Sequence, residues 1–522
     1  MIATKPSGRR ANHTRNQRRW PNAWVLGVLL GLIVGGGTAW LYPPPSVDMI
    51  KVQSAEWYDS MRQLVFSTDT DTGAGNHEPS VYAQAPIQFP PEPHNDAHTD
   101  DALAADDVAE LVNVNAALPD DDKLATVLDD AMDETEYKNR MVVADVATGK
   151  TLYDNGGDDP IVPASTLKLF TAVSALDQLG ADHRFTTSAG YDPALGVVLT
   201  GGGDGLLSTG AGTGETVGYA GLSDLAQKTW DEISNQLTAD PQQTIDVWAD
   251  VSRYDEPWVH PTWNDGLMTS GWVSPIYPLN TYGGFYSDPS YDNTAVEDGA
   301  SYAGGAFAQR LTDLAAAEGF DIEFRYSGQL DQPSDIETAA EVRSAPLGQQ
   351  LEFAMKQSNN MLLEMFGREA AIAADNTPNF EGSTNTTMDT LEGLGISTES
   401  LEFVDNSGLS PNNHATLNSI MQLYEVILAQ EHLRPILHSL TIAGYDGTMQ
   451  QRMDQAPYSG IVRSKTGTLE VANSNVGLTV TDDGRTLWFG VNTTGAGQDY
   501  AGARDEQDGL IEALTDCNCS GK

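Results

Sequence analysis

Apolar residues are distributed along this chain in three regimes. From Trp24 to Tyr42 the sequence reads WVLGVLLGLIVGGGTAWLY, 19 residues without a charge. At about 1.5 Å per residue a helix of that length nearly matches a bilayer core, so one membrane span is expected over 23–42. From Pro43 to about 118 long apolar runs disappear and Pro, Asp, Thr and Ala dominate, as in APIQFPPEPHNDAHTDDALAADD. Such a stretch cannot bury enough surface to offset its ordering entropy, and it reads as a disordered acidic tether extended by self-repulsion. Asp100, Asp101, Asp106 and Asp107 belong to that solvated run rather than to a calcium site.

Regular patterning begins near Asp120. In MVVADVATGKTLYD, apolar residues flank Thr148-Gly149, which predicts two strands and a tight turn. Leu167, Phe170, Val173, Leu176 and Leu179 recur at helical spacing, with Pro163 ahead of the first turn and Gly180 closing the element. AMKQSNNMLLEMFGREAAIAA carries a helical pattern on both sides of Ser358-Asn359-Asn360, placing those residues on a turn between helices. GIVRSKTGTLEVANSNVGLTVTDDGRTLWFGVN reads as strands, with Asp483-Gly484 a hairpin signal, and 501–516 as a final helix against the sheet.

Charge then divides the chain. It has 28 Lys+Arg against 74 Asp+Glu, a net −46, which excludes a nucleic-acid partner for want of a basic footprint. Residues 1–22 nevertheless hold Lys5, Arg9, Arg10, Arg15, Arg18 and Arg19 and no acid. A basic flank before the span and an acidic body after it put the body outside the membrane by the positive-inside rule. The expected location is therefore a cell membrane, crossed once, with an extracytoplasmic body that is secreted if Gly37-Thr38-Ala39 serves as a cleavage site. The two cysteines, Cys517 and Cys519, stand too close for a relaxed mutual disulfide, leaving pairing between chains or free thiols open.

Candidate chemistry starts at Ser165. Lys168 follows three positions later on the same helix face, so its amine can reach the hydroxyl. A serine becomes a usable nucleophile when a neighbouring amine of lowered pKa takes its proton. Alone, Ser-x-x-Lys is a weak pattern. Ser358-x-Asn360 on its turn and Lys465-Thr466-Gly467-Thr468 on a strand supply two more polar clusters, and Gly467 allows another backbone to come close. Gly149-Lys150-Thr151 imitates the end of a phosphate loop, but the first glycine of that loop would fall at Ala144, so ATP binding is rejected. Gly201-Gly202-Gly203-Asp204-Gly205 reads as a structural turn. No His-Glu-x-x-His occurs, and neither a metal nor a cofactor is called for.

In that order, Ser-x-x-Lys, Ser-x-Asn and Lys-Thr-Gly are the signature of penicillin-binding proteins and serine β-lactamases, and the chain resembles that superfamily. More narrowly it resembles the D-alanyl-D-alanine carboxypeptidase/endopeptidase family of class C low-molecular-mass penicillin-binding proteins. VLTGGGDGLL (198–207), VWADVSRYDEPW (247–258), DNSGLS (405–410) and AGYDGTMQQRM (443–453) carry this closer match.

The resemblance implies an α/β (α+β) transpeptidase-like domain over 119–185 and 343–516, an antiparallel sheet flanked by helices. A β-rich insertion at 186–342 interrupts it, and 517–522 form a tail. It implies that Ser165 attacks the peptide carbonyl between two D-alanines, that Lys168 takes its proton, and that Ser358 relays a proton to the leaving amine. Asn360 orders the lysine and substrate amide, Lys465 supplies positive potential, and Thr466, Gly467 and Thr468 bind the terminal carboxylate. Ser165 and Thr468 N–H groups form the oxyanion hole. Asp250 matches the place of a carboxylate that recognises a side-chain amine, against a plain strand-end role. Pro411 stands where several relatives carry a basic or polar residue, which implies an altered peptide subsite. The aromatics between Trp258 and Tyr286 serve as core and loop anchors or stack on sugars.

The resemblance then implies peptidoglycan stem peptides as substrates, β-lactams as acylating inhibitors and a bacterial cell membrane as the one the N-terminal helix crosses. Three functions are consistent with these residues: a D,D-carboxypeptidase, with the same chemistry open to crosslinks; a β-lactamase, for which no placed deacylating Glu is evident; and a wall-bound scaffold with a decayed site.

Overall fold

The computed structural model describes residues 116–237, 243–288, 294–330 and 332–520. The basic tail, the span and nearly all of the acidic tether lie outside the described residues. No helix among the described residues is long and apolar enough to cross a membrane.

In chain order the body first contributes helix α1 (Asp121–Asp133), strands β1 (Lys138–Asp145) and β2 (Thr151–Asn155), and helix α2 (Lys168–Leu179). The inserted segment follows with β3 (Thr186–Asp192), β4 (Gly196–Thr200), α3 (Leu222–Ile233), β5 (Gln243–Asp250), α4 (Gly299–Ala317), β6 (Ile322–Gln329) and β7 (Thr338–Arg343). The chain then returns to the body as α5 (Leu347–Lys356), α6 (Asn360–Ala373), α7 (Phe380–Gly393) and α8 (Leu417–Ala429). Strands β8 (Thr441–Ile442), β9 (Arg463–Thr468), β10 (Asn473–Val480) and β11 (Thr486–Thr494) and helix α9 (Tyr500–Thr515) complete it.

The body is a six-stranded sheet in the order β2-β1-β11-β10-β9-β8, antiparallel throughout. Alternation along β1 feeds both of its faces. Met141 and Val143 pack with Leu487, Phe489 and Val491 against Leu124 and Leu128 of α1 and Leu510, Ile511 and Leu514 of α9. Val142 and Ala144 join Trp488 and Val476 on the opposite face, beneath α2, α5, α6 and α8. Covered on both sides, β1 reads as an unbroken apolar run, as a sandwiched strand must. Helix α2 is enclosed on every side, with each residue from Lys168 to Leu176 buried. A lysine is therefore carried into the middle of the body.

The insertion is less β-rich than its strand signals suggest. Its five strands run β6-β5-β4-β3-β7, with β4/β5 and β5/β6 parallel and the β3 pairings antiparallel. Parallel neighbours need a crossover, and α3 and α4 supply the two required here. Both helices pack on one face of the sheet, where Trp230, Phe307 and Leu311 meet Ile245, Val247 and Phe324. This makes the insertion an α/β unit. Arg253 and Tyr254, just past β5, tie it to the body through Glu369 of α6, at 2.5 and 2.9 Å.

The glycine run after β4 is a structural turn at that junction. A Cβ on Gly202 would stand 1.6 Å from the Thr186 carbonyl oxygen, and Gly203 has φ +92°. At the C-terminus the expectation for the cysteines is corrected: the chain turns so that the Cα atoms of Cys517 and Cys519 lie 5.2 Å apart, within disulfide reach, and the two are bonded to each other.

Candidate active site

Ser165 lies on a tight 3-10 turn, Ala164–Leu167, directly ahead of α2, and Lys168 opens the helix. The three-residue spacing thus spans a turn and a helix start rather than one continuous α-helix. Two glycines admit the backbone around it. A Cβ on Gly467 of β9 would meet Ser165 N at 2.8 Å, and one on Gly408, at φ +80°, would meet the Ala164 carbonyl oxygen at 1.9 Å. Ala164 itself sits at φ 50° and Ser358 at φ 52°, left-handed conformations that non-glycine residues keep only when the surroundings enforce them.

The Lys168 amine reaches three oxygens: Ser165 Oγ at 2.8 Å, Asn360 Oδ1 at 2.6 Å and the Ser407 carbonyl at 2.5 Å. Asn360 is the first residue of α6, and its Nδ2 donates to the Trp272 carbonyl at 2.7 Å, which turns Oδ1 toward the lysine. On the other side, Lys465 Nζ donates to Ser358 Oγ at 2.9 Å and to the Thr466 carbonyl at 2.8 Å. Ser358 occupies the turn between α5 and α6, where Asn359 caps the second helix by accepting from Leu362 N–H at 2.9 Å. Thr466 donates its hydroxyl to Thr448 at 2.7 Å, and Thr468 ends β9, half-buried. Segments far apart in the chain therefore converge on one hydroxyl.

Both lysines are 0% exposed. Burial pushes the Lys168 amine down to about 7, with Asp405 and Glu364 pulling against it. Burial and the neighbouring Lys168 hold Lys465 well below the ordinary lysine range. Two ammonium ions this close and this dry disfavour each other, so a neutral amine beside Ser165 is available near neutrality. Such an amine can take the hydroxyl proton as the oxygen attacks a carbonyl.

Of the residues singled out in the sequence, Ser165, Lys168, Ser358, Asn360, Lys465, Thr466, Gly467 and Thr468 come together. Asp250 does not join them. It is 4% exposed, and its carboxylate accepts from Ser252 N–H at 3.0 Å and Ser334 N–H at 2.9 Å, a strand-end role inside the insertion. The aromatic segment divides. Trp263 is buried and donates to Asp405 at 2.9 Å, whereas Trp272 is 63% exposed beside Asn360. Sequence reasoning left Glu364, Asp405 and Ser407 without roles. A buried acid looks like a surface acid until its neighbours are known, and DNSGLS offered only its placement as a signal.

The sequence profile described as the D-Ala-D-Ala carboxypeptidase 3 (S13) family matches residues 121–292 and 286–516. The chain belongs to this family. Its activity is that of a serine-type D-Ala-D-Ala carboxypeptidase. Similar relatives include a carboxypeptidase of Mycobacterium tuberculosis, 31% identical over 460 residues that cover 85% of this chain and 92% of that one. Carboxypeptidase DacB of Mycolicibacterium smegmatis is 32% identical over 392 residues, 72% of this chain and 80% of the relative. Penicillin binding protein 4 of Haemophilus influenzae shares the fold with a TM-score of 0.62 at 19% identity, covering 74% of this chain and 98% of its own.

Proposed function

We propose that this family member removes the terminal D-alanine of peptidoglycan stem peptides through an acyl-enzyme on Ser165. Lys168 Nζ accepts the Ser165 proton while Oγ bonds to the penultimate carbonyl carbon. The oxyanion that forms is met by the N–H groups of Ser165 and Thr468, donors set where charge develops. The carbon–nitrogen bond then breaks as Ser358, hydrogen-bonded to Lys465, gives its proton to the departing amine and is refilled with the proton held by Lys168, which leaves the Lys168 amine neutral again. Water attacks the ester with Lys168 taking its proton and then handing it to the departing Ser165 Oγ, which returns the free hydroxyl, the neutral amine and the shortened peptide. Thr466 and Thr468 hydroxyls and the Lys465 ammonium hold the terminal carboxylate.

The observation that carries this reading is the buried Lys168 amine 2.8 Å from Ser165 Oγ. The carboxylates of Glu364 and Asp405 accept from N–H groups of residues 406–408 and 410 rather than facing Ser165, which favours slow deacylation over β-lactamase turnover. A β-lactam ring presents the same acyl group and traps the same serine. Opening a crosslink is the same bond cleavage with a longer leaving amine, so D,D-endopeptidase action belongs to this proposal too. We place the body outside the membrane, held by the Trp24–Tyr42 span and the acidic tether, because of the charge reversal across that span.

The test is intact-mass analysis after penicillin, with alanine release from a D-Ala-D-Ala pentapeptide measured in parallel. One stable adduct on a Ser165 peptide, lost together with alanine release in Ser165→Ala, is expected. An adduct on another residue, or alanine release surviving in that variant, contradicts the assignment.

A further inference from the structure

The oxygens around Lys168 are not equivalent. A neutral amine has two N–H bonds and one lone pair. Asn360 Oδ1 and the Ser407 carbonyl can only accept, so together they use both N–H bonds and leave the lone pair for the Ser165 hydroxyl. The direction of that lone pair therefore depends on how the Ser407 carbonyl is held.

Glu364 holds it. One turn along α6 from Asn360 and fully buried, its Oε1 accepts from Ser407 N–H at 2.8 Å and from Asn406 N–H at 3.0 Å, and its Oε2 accepts from Asn406 Nδ2 at 3.1 Å. From α2, Thr171 donates its hydroxyl to the Asn406 carbonyl at 2.7 Å, fixing the other end of that same 406–407 peptide. Asp405 takes Gly408 N–H, the N–H of the peptide to which the Ser407 carbonyl belongs, at 2.8 Å and Ser410 N–H at 2.7 Å, and Gly408 packs against the carbonyl that precedes Ser165. One helix thus supplies one acceptor for the lysine directly and sets the other through the loop.

We propose that Glu364 is a positioning residue of the reaction, acting through the Ser407 carbonyl to aim the Lys168 lone pair at Ser165. The proposal rests on Lys168 being the base. The charged groups around this point are Glu364, Asp405 and Lys465 about the amine, Arg368 one turn beyond Glu364, and His260 near Asp405. Burial, with Asp405 beside it, raises the Glu364 carboxyl itself to about 7, and in its ionised form it joins Asp405 in favouring the ammonium, so removing that charge lowers the pH at which the base is freed.

The test is the rate of acylation by a labelled penicillin against pH, with melting temperatures alongside. Glu364→Gln is expected to slow acylation at pH 8 by about tenfold or more, as misaligned reacting groups do, and to move the acid limb of the profile to lower pH. Thr171→Val, which loosens the same peptide without removing a charge, is expected to slow acylation less and leave the limb in place. Wild-type rate and limb in Glu364→Gln overturn the proposal, as does a lower rate with an unmoved limb and a lowered melting temperature. Should Glu364→Gln fail to fold, unchanged acylation in Thr171→Val overturns it. Wild-type acylation in Lys168→Met would instead defeat the base assignment on which the proposal stands.

Discussion

Lys168 and Lys465 are both enclosed by protein, yet among the described residues anions act on the first, whereas the charge acting on the second is the other lysine. Lys168 has Glu364 and Asp405 behind it, which pull against burial and leave its amine near 7. Lys465 has a hydroxyl, a carbonyl and a neighbouring amine, and burial together with that amine holds it well below the ordinary lysine range. A buried cation without a counter-ion is costly, and the favourable remedy is an anion brought by the ligand. The Lys168 side is complete in the free protein. In the function we propose, the Lys465 side is completed by the substrate's terminal carboxylate.

The largest expected effect breaks the first half of that comparison. Lys168→Met should lower penicillin acylation by about 10³-fold or more, since general-base assistance is lost, as read by stopped-flow quenching. Lys465→Met should act selectively. Hydrolysis of a peptide with a free terminal carboxylate should fall by about 10²-fold, while a C-terminally amidated analogue, already poor, changes little. Equal losses on both peptides would erase the distinction between the lysines.

A third variant sharpens the contrast with a buried charge outside the site. Asp204 is enclosed with one hydrogen bond, from Leu206 N–H, and burial raises its carboxyl to about 7. Between its unfolded pKa near 4 and that value, the native state holds the proton that the unfolded chain has released, so stability falls as pH rises. Asp204→Asn should therefore raise the melting temperature at pH 8, by the equivalent of about 2 kcal/mol, with the gain vanishing toward pH 4. Smallest of all, Asp250→Asn should cost about 1 kcal/mol of stability in urea titrations and leave acylation unchanged, as a carboxylate bonded only within the insertion would.

The Ser165 hydroxyl, both lysines and the Ser358/Asn360 pair were legible as one cluster because each sits in a short motif whose spacing survives in one dimension. The strands around Thr148-Gly149 and Asp483-Gly484 were legible because turn chemistry is local. The insertion was expected to be β-rich from the resemblance, and GASYAGGAFAQRLTDLAAA is too rich in glycine and small residues to announce α4 against that expectation. Glu364 and Asp405 were silent for a different reason. They meet only when α6 and the 405–410 loop pack, and nothing in their neighbours in sequence marks them as buried. The cysteine pair was misjudged because separation along the chain does not determine how a tail turns.

The central claim is that the amine beside Ser165 is available in its neutral form at physiological pH. Titrating the side-chain nitrogen resonance of Lys168 in isotope-labelled protein, assigned by its absence in Lys168→Met, tests it most directly. A midpoint near 7 is predicted. A midpoint at the ordinary lysine value of about 10.4 would contradict the account, because the base would then be protonated when the enzyme works.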